Sequence, residues 1–179
     1  MNDAAAFEST ETLKSGLVVT VRPLRASDRE PIARSVEQLD PESIYTRLFS
    51  LRKLTPAGLD RIMNVDPKSE VALVVTRGTP PDETVIAGCR LIELPSEGGR
   101  RSAEIAFTVE EDYQGQGIAG RLLGHLVRIA RDRGLDALEA DVLTQNASML
   151  RVFERSGLPM RTRHEGTSIH LSLALRDGA

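Results

Sequence analysis

The sequence predicts a single α/β domain that is built on a mixed β-sheet. Three observations support this fold class. The chain has 179 residues, which is the usual size of one domain. Its composition is 40% hydrophobic, which is enough to form a buried core. The predicted elements run in the order strand, two or three helices, antiparallel meander, and then helices alternating with strands, an order typical of a mixed sheet.

The N-terminal third contains one strand and a group of helices. Residues 1–16 show no periodicity, so we expect a loose N-terminal extension before a domain at residues 17–176. A run of β-branched residues ends at Pro23 and is typical of a strand, and Ser27 and Asp28 are typical helix N-caps. The elements predicted here are a strand at 17–21 and helices from 28 to about 39, from 41 to 51 and from 55 to 63.

Turn residues divide the rest of the chain. Clusters rich in glycine and proline at 78–82 and 95–99 separate three strands, which predicts a meander, and Gly134 is a typical helix C-cap. The predicted elements are strands at 71–75, 84–94 and 103–109, a helix at 118–133, a strand at 138–143, a helix at 146–156, and strands near 159–164 and 168–174.

Composition excludes several classes of function. Cys89 is the only cysteine, so an internal disulfide is excluded and a reducing, cytoplasmic compartment is expected. A net charge of −3, with four phenylalanines, two tyrosines and no tryptophan, argues against nucleic-acid binding. The sequence contains no apolar run long enough for a membrane span. The three histidines show no metal-ligand spacing, so we predict no metal site.

A glycine-rich loop is the most informative segment. Gly115, Gly117 and Gly120 follow the strand at 103–109 and open an amphipathic helix. Such a loop exposes backbone N–H groups at a helix N-terminus, where the helix dipole also favours phosphate oxygens. The alternative is that the glycines only permit close packing of the helix on the strand.

The same glycines match the dinucleotide-binding pattern, with Asp141 about twenty residues further on. We reject this interpretation because a dinucleotide-binding strand runs almost directly into its first glycine, whereas residues 110–114 intervene here. A phosphate loop of the Walker type is also excluded, because no Gly-Lys-Ser/Thr sequence follows.

The loop and the segment after it resemble the GNAT superfamily of acyl-CoA-dependent N-acyltransferases. Residues 114–119, Gln-Gly-Gln-Gly-Ile-Ala, match its Q/R-x-x-G-x-G/A motif, and Asn146-x-x-Met149 and Phe153-x-x-x-Gly157 follow in the expected order. The resemblance covers about residues 17–174. It implies an α+β domain with a mostly antiparallel sheet of six to seven strands, helices on both faces, and central strands that splay apart.

The resemblance also implies acetyl-CoA as co-substrate and assigns the residues that bind it. Backbone groups of Phe107, Thr108 and Val109 would hold the pantetheine arm, and Asn146 would meet the cofactor where the strands splay. A helix N-cap is the structural role expected for Asn146, and the two roles are compatible. The residues expected around the pyrophosphate are Gln114, Gly115, Gln116, Gly117, Ile118, Ala119 and Gly120.

Acyl transfer to an amine needs a base for the amine and a donor for the oxyanion. We expect a backbone N–H near Phe107 or Thr108 as the donor. The preferred base is Glu104, because its apolar neighbours in the strand could desolvate the carboxylate. The stretch 103–109 also resembles the strand that carries the general-base glutamate in GNAT protein-lysine acetyltransferases. The alternative is a surface glutamate that pairs with Arg100 or Arg101.

The general acid and the acceptor stay open. Many GNAT enzymes place a tyrosine where this chain has Phe153, which we expect to pack, and neither Tyr45 nor Tyr113 replaces it. Residues 41–66 resemble bacterial protein-lysine acetyltransferases that modify acyl-CoA synthetases. Three functions follow: a protein-lysine acetyltransferase, which we favour, an acetyltransferase for small amines, and a non-catalytic acyl-CoA-binding module. The sequence leaves the oligomeric state open.

Overall fold

The computed structural model describes residues 7–37 and 56–176. The strands in this part of the chain are β1 (Ser9–Thr12), β2 (Val18–Pro23), β3 (Glu70–Arg77), β4 (Thr84–Glu93), β5 (Ser102–Val109), β6 (Ala137–Leu143), β7 (Met160–Glu165) and β8 (Ser168–Ala174). The helices are α1 (Arg29–Glu37), α2 (Pro56–Met63), α3 (Ile118–Asp132) and α4 (Ala147–Glu154).

The eight strands form one sheet in the order β1-β2-β3-β4-β5-β6-β8-β7. Every neighbouring pair is antiparallel except β5 and β6, which are parallel and pair only from Ser102 to Glu104. Beyond Glu104 on β5 and Glu139 on β6 the two strands separate. We call the gap between residues 105–109 and 140–143 the central cleft.

Helices cover both faces of the sheet. One face carries the main core, in which Leu122 and Leu126 of α3 pack with Cys89 and Leu91 of β4. Arg90 lies between those two residues and therefore points to the opposite face. There its guanidinium donates to the carbonyl oxygens of Arg61, at 2.9 Å, and Asn64 at the end of α2. No helix in the described residues is long and apolar enough to cross a membrane.

The sheet has one strand more than the upper limit expected, and the extra strand is β1. Residues 9–12 were expected in a loose extension, but they pair with β2 in an antiparallel ladder. Their sequence, Ser-Thr-Glu-Thr, has no apolar alternation, because β1 is a short polar strand at the edge of the sheet. Buried Leu13 fixes the turn that follows. The division of the chain at residue 17 stays a prediction.

The other predicted elements in the described residues are confirmed, with shifts of at most two residues at their ends. The predicted helix at 41–51 and Tyr45 lie outside the described residues.

Asp28 is not the N-cap residue that the sequence indicates, because it is the last residue of a short 3-10 helix, Ala26–Asp28, whose N-cap is Arg25. Its carboxylate binds both terminal nitrogens of Arg22, each at 2.8 Å, and accepts the Arg25 N–H at 2.7 Å. Arg22 also donates to Glu83 at 3.0 Å. Arg22 and Asp28 are 2% and 3% exposed. Burial opposes ionisation of Asp28, but the hydrogen bonds from Arg22 and Arg25 outweigh it and lower the pKa of the carboxyl. The triad joins β2 to the start of β4.

Candidate active site

The glycine loop presents uncapped N–H groups at the start of α3. Gly115 and Gly117 have φ angles of +73° and +87°, which favour glycine. Gly117 is the N-cap and provides no side chain to the first turn, whose N–H groups also have no acceptor within the helix. A Cβ on Gly115 or Gly120 would meet no described atom within 4 Å. Close packing therefore does not explain these two glycines, and the space in front of the loop is open.

Backbone hydrogen bonds show which groups of β5 face the central cleft. The Glu110 N–H donates to the Ile86 carbonyl on β4 at 2.9 Å, whereas the Arg101 carbonyl accepts the Asp136 N–H at 2.7 Å on the β6 side. The N–H and C=O groups of successive residues in a strand point to opposite sides. Even-numbered residues therefore turn their N–H groups towards β4, and odd-numbered residues turn theirs towards β6. The N–H groups of Phe107 and Val109 therefore face the cleft.

Thr108 does not share this orientation. It lies opposite Gly88 on β4, so its N–H is used in the sheet. The Val109 carbonyl accepts the Gln114 side-chain amide at 3.3 Å, which fixes the end of β5 to the glycine loop. Of the two oxyanion donors expected from the sequence, only the Phe107 N–H is directed into the cleft.

Asn146 caps α4, as expected. Its Oδ1 accepts the Met149 N–H at 3.1 Å and the Ser148 hydroxyl at 2.9 Å. The Nδ2 group makes no hydrogen bond to the described residues, so it remains a free donor just after β6.

Phe153 packs, as expected. It is 1% exposed and meets Phe107 edge to face, with ring centroids 6.1 Å apart. The contact joins α4 to β5 beneath the cleft. Tyr113 is also partly buried, and the Arg77 guanidinium lies 5.8 Å from its ring centroid.

Glu104 lies at the closed end of the cleft, where the pairing of β5 with β6 stops. Its side chain is exposed, and the flanking Ala103 and Ile105 point into the core on the other face. The expected desolvation by these neighbours is therefore wrong, because alternation along the strand turns them away. The alternative partners of Glu104 are also wrong. Arg100 approaches Glu139 at 3.4 Å, and Arg101 approaches Glu93 at 3.1 Å.

Beside Glu104 is a charged cluster that the sequence analysis missed. Glu139, which is 9% exposed, pairs in register with Glu104 across β5 and β6. It accepts the Ser172 hydroxyl at 3.1 Å and lies 3.3 Å from His170, whose other ring nitrogen is 2.9 Å from Asp141. These residues meet only because β8 pairs with β6, and that pairing leaves no signal in the local sequence.

The remaining candidates have structural surroundings. Cys89 is buried in the core, and burial raises the pKa of its thiol. His125 is buried between the Glu11 carboxylate, at 2.5 Å, and the Arg128 guanidinium, at 2.7 Å. It is buried because β1 covers this side of α3. In the described part of the chain no group of three or more His, Cys, Asp or Glu side chains has an arrangement that could hold a metal ion.

Comparisons with known proteins agree with this geometry. Residues 42–158 match the model of the acetyltransferase (GNAT) family. The chain is 34% identical over 146 residues to Acetyltransferase Pat of Mycolicibacterium smegmatis, covering 81% of this chain and 42% of that protein. It is 32% identical over 125 residues to Acetyltransferase PA5475 of Pseudomonas aeruginosa, covering 69% and 66% of the two chains. The chain thus spans less than two thirds of either relative.

Among solved structures, the GNAT domain of PAT from S. lividans superimposes with a TM-score of 0.81 at 29% identity. The match covers 93% of this chain and 96% of that domain.

Proposed function

Because the chain belongs to the acetyltransferase (GNAT) family, we propose that it transfers the acetyl group of acetyl-CoA to a primary amine, and that this amine is a protein lysine. The observation that carries the proposal is the central cleft. It begins at an exposed carboxylate, Glu104, and leads to the uncapped start of α3. A base and a phosphate cradle thus lie at its two ends.

Acetyl-CoA fits the chemistry of these groups. The first-turn N–H groups of α3 suit the pyrophosphate, because they have no side-chain cap among the described residues and carry the positive end of the helix dipole. The N–H groups of Phe107 and Val109 suit the amide groups of pantetheine along β5, and Asn146 offers its free amide donor from the β6 side. Thr108 belongs to the same stretch of β5, but its N–H is used in the pairing with β4 and does not face the pantetheine. The proposed pyrophosphate residues are Gln114, Gly115, Gln116, Gly117, Ile118, Ala119 and Gly120.

Glu104 acts as the base in this proposal. A lysine amine has a pKa of about 10.4 and is protonated at neutral pH, so it must first give a proton to Glu104. The amine nitrogen then attacks the acetyl carbon, and the Phe107 N–H stabilises the oxyanion. The carbon–sulfur bond breaks, the thiolate leaves with the electron pair, and it takes the second amine proton.

The exposure of Glu104 supports a protein acceptor. A small amine is usually bound in a cavity that encloses most of its surface, whereas a lysine on a folded protein needs a base at an open face. The resemblance of residues 41–66 to protein-lysine acetyltransferases points the same way. Acetyl-CoA as donor and a single thiol support the cytoplasmic location expected from the sequence.

A thiol-release assay tests the proposal. The protein is mixed with acetyl-CoA and either a folded acyl-CoA synthetase or a panel of small amines, and acetylated lysines are mapped by mass spectrometry. We expect thiol release and lysine acetylation with the protein acceptor. Turnover with small amines alone would favour the second function, and CoA binding without any thiol release would favour the non-catalytic module.

A further inference from the structure

The turn between β1 and β2 contacts the glycine loop. The Ser15 hydroxyl donates to Oε1 of Gln116 at 2.5 Å. Next to it, the Lys14 side chain lies over Gly117, with its Cε 3.7 Å from the position that a Cβ of Gly117 would occupy. We call residues 13–17 the N-terminal turn. It forms a second wall beside the start of α3.

Ion pairs hold this turn in place. The Arg121 guanidinium donates to Glu11 at 3.0 Å and to the Thr12 carbonyl at 2.7 Å, and His125 meets the other oxygen of Glu11 at 2.5 Å. Burial opposes ionisation of Glu11, but the hydrogen bonds from His125 and Arg121 outweigh it and lower its pKa. The turn is therefore fastened to α3 immediately before Lys14.

Lys14 provides a positive charge that no described residue neutralises. Its ammonium makes no ion pair or hydrogen bond to the described residues. Arg121, the first arginine after the glycine loop, already binds the Glu11 carboxylate and the Thr12 carbonyl. The helix N-terminus supplies only partial positive charge, about half a unit, and a diphosphate carries more negative charge than that.

We propose that Lys14 binds the diphosphate of the acyl-CoA donor, which makes the N-terminal turn part of the cofactor site. This inference rests on the proposed function. A lysine at the side of the loop supplies a full positive charge, while the backbone N–H groups donate directional hydrogen bonds to the diphosphate oxygens. Residue 14 belongs to a segment without periodicity, which explains why the sequence gives no sign of this role.

Binding measurements by calorimetry test Lys14. CoA and dephospho-CoA, which lacks only the 3′-phosphate, are titrated into the wild type, Lys14→Gln and Lys14→Arg. Lys68→Gln, in an exposed turn elsewhere, is the matched control. We expect Lys14→Gln to weaken both ligands about tenfold, as for the loss of one charge-assisted contact, and Lys14→Arg to stay within about twofold. The difference should shrink at high salt.

The outcomes separate this inference from the proposed function. Unchanged affinity in Lys14→Gln overturns the role of Lys14, and so does a loss seen with CoA but not with dephospho-CoA, because the contact would then be to the 3′-phosphate. A wild type that binds neither ligand overturns the proposed function itself, and this inference with it.

Discussion

At the scale of single residues, Glu104 is a candidate base because of its position in the sheet and not because of its neighbours in the sequence. The apolar residues beside it in the sequence favoured it as the base, yet Ala103 and Ile105 lie on the other face of the sheet. What distinguishes Glu104 is that it ends the ladder between β5 and β6 and has no ion-pair partner among the described residues.

Replacing Glu104 tests its role as the base. We expect Glu104→Gln to lower kcat by about 10²- to 10⁴-fold, because general-base catalysis is lost while the side-chain shape is kept. The rate is measured with the acceptor saturating, as a function of pH. Glu97→Gln, in the exposed turn before β5, is the control and should keep full activity. Unchanged turnover in Glu104→Gln would exclude it as the base.

Asn146 allows its two roles to be separated. Asn146→Ala removes the N-cap and should destabilise the protein by about 1 kcal/mol, measured by urea unfolding. Asn146→Asp keeps the capping oxygen but loses the amide donor, so we expect near-normal stability and weaker CoA binding. If Asn146→Asp binds CoA as well as the wild type does, the residue is a cap alone.

At the scale of elements, the buried triad of Arg22, Asp28 and Glu83 makes stability depend on pH. The folded-state pKa of Asp28 is below its ordinary value of about 3.9, so the unfolded chain binds the proton more readily. The pKa of Glu83 is also lowered, mainly by the hydrogen bond from Arg22. The stabilisation is complete above the ordinary values and is lost as pH falls below them.

We therefore expect the free energy of unfolding in urea to fall between pH 6 and pH 3. Asp28→Asn should cost about 3 kcal/mol at pH 7, because it leaves a buried guanidinium with one partner fewer. The same variant should show a shallower pH dependence than the wild type. If the free energy of unfolding depended on pH equally steeply in the wild type and in Asp28→Asn, the group responsible would not be Asp28.

The elements that the sequence predicts are those whose pattern matches their surroundings. β3 is a continuous apolar run because it is buried, and α3 has one apolar face because only one face meets the sheet. β1 has neither pattern, since its contacts are made by polar side chains such as Glu11 at a sheet edge. The position of the glycine loop was predictable because it depends on local backbone conformation alone.

At the scale of the whole molecule, what the sequence could not predict depends on distant pairing. Glu139, Asp141 and His170 meet because β8 lies between β6 and β7, and Lys14 reaches Gly117 because β1 joins the sheet edge. Each contact joins residues far apart in the chain, and neither member carries a local pattern. The general shape of the cleft was predictable only through family resemblance.

The three-residue ladder between β5 and β6 has a consequence for hydrogen exchange. With the strands apart, the amide protons of Phe107 and Val109 have no partner across the cleft, whereas those of Ala106 and Thr108 are held by β4. We expect amide exchange followed by NMR to alternate at the end of this strand, fast at Phe107 and Val109 and slow at Ala106 and Thr108. Saturating CoA should slow the fast positions and leave the others unchanged. In the protein without CoA, the exchange rates along the end of β5 would thus identify the amides whose hydrogen-bond partner only the ligand supplies.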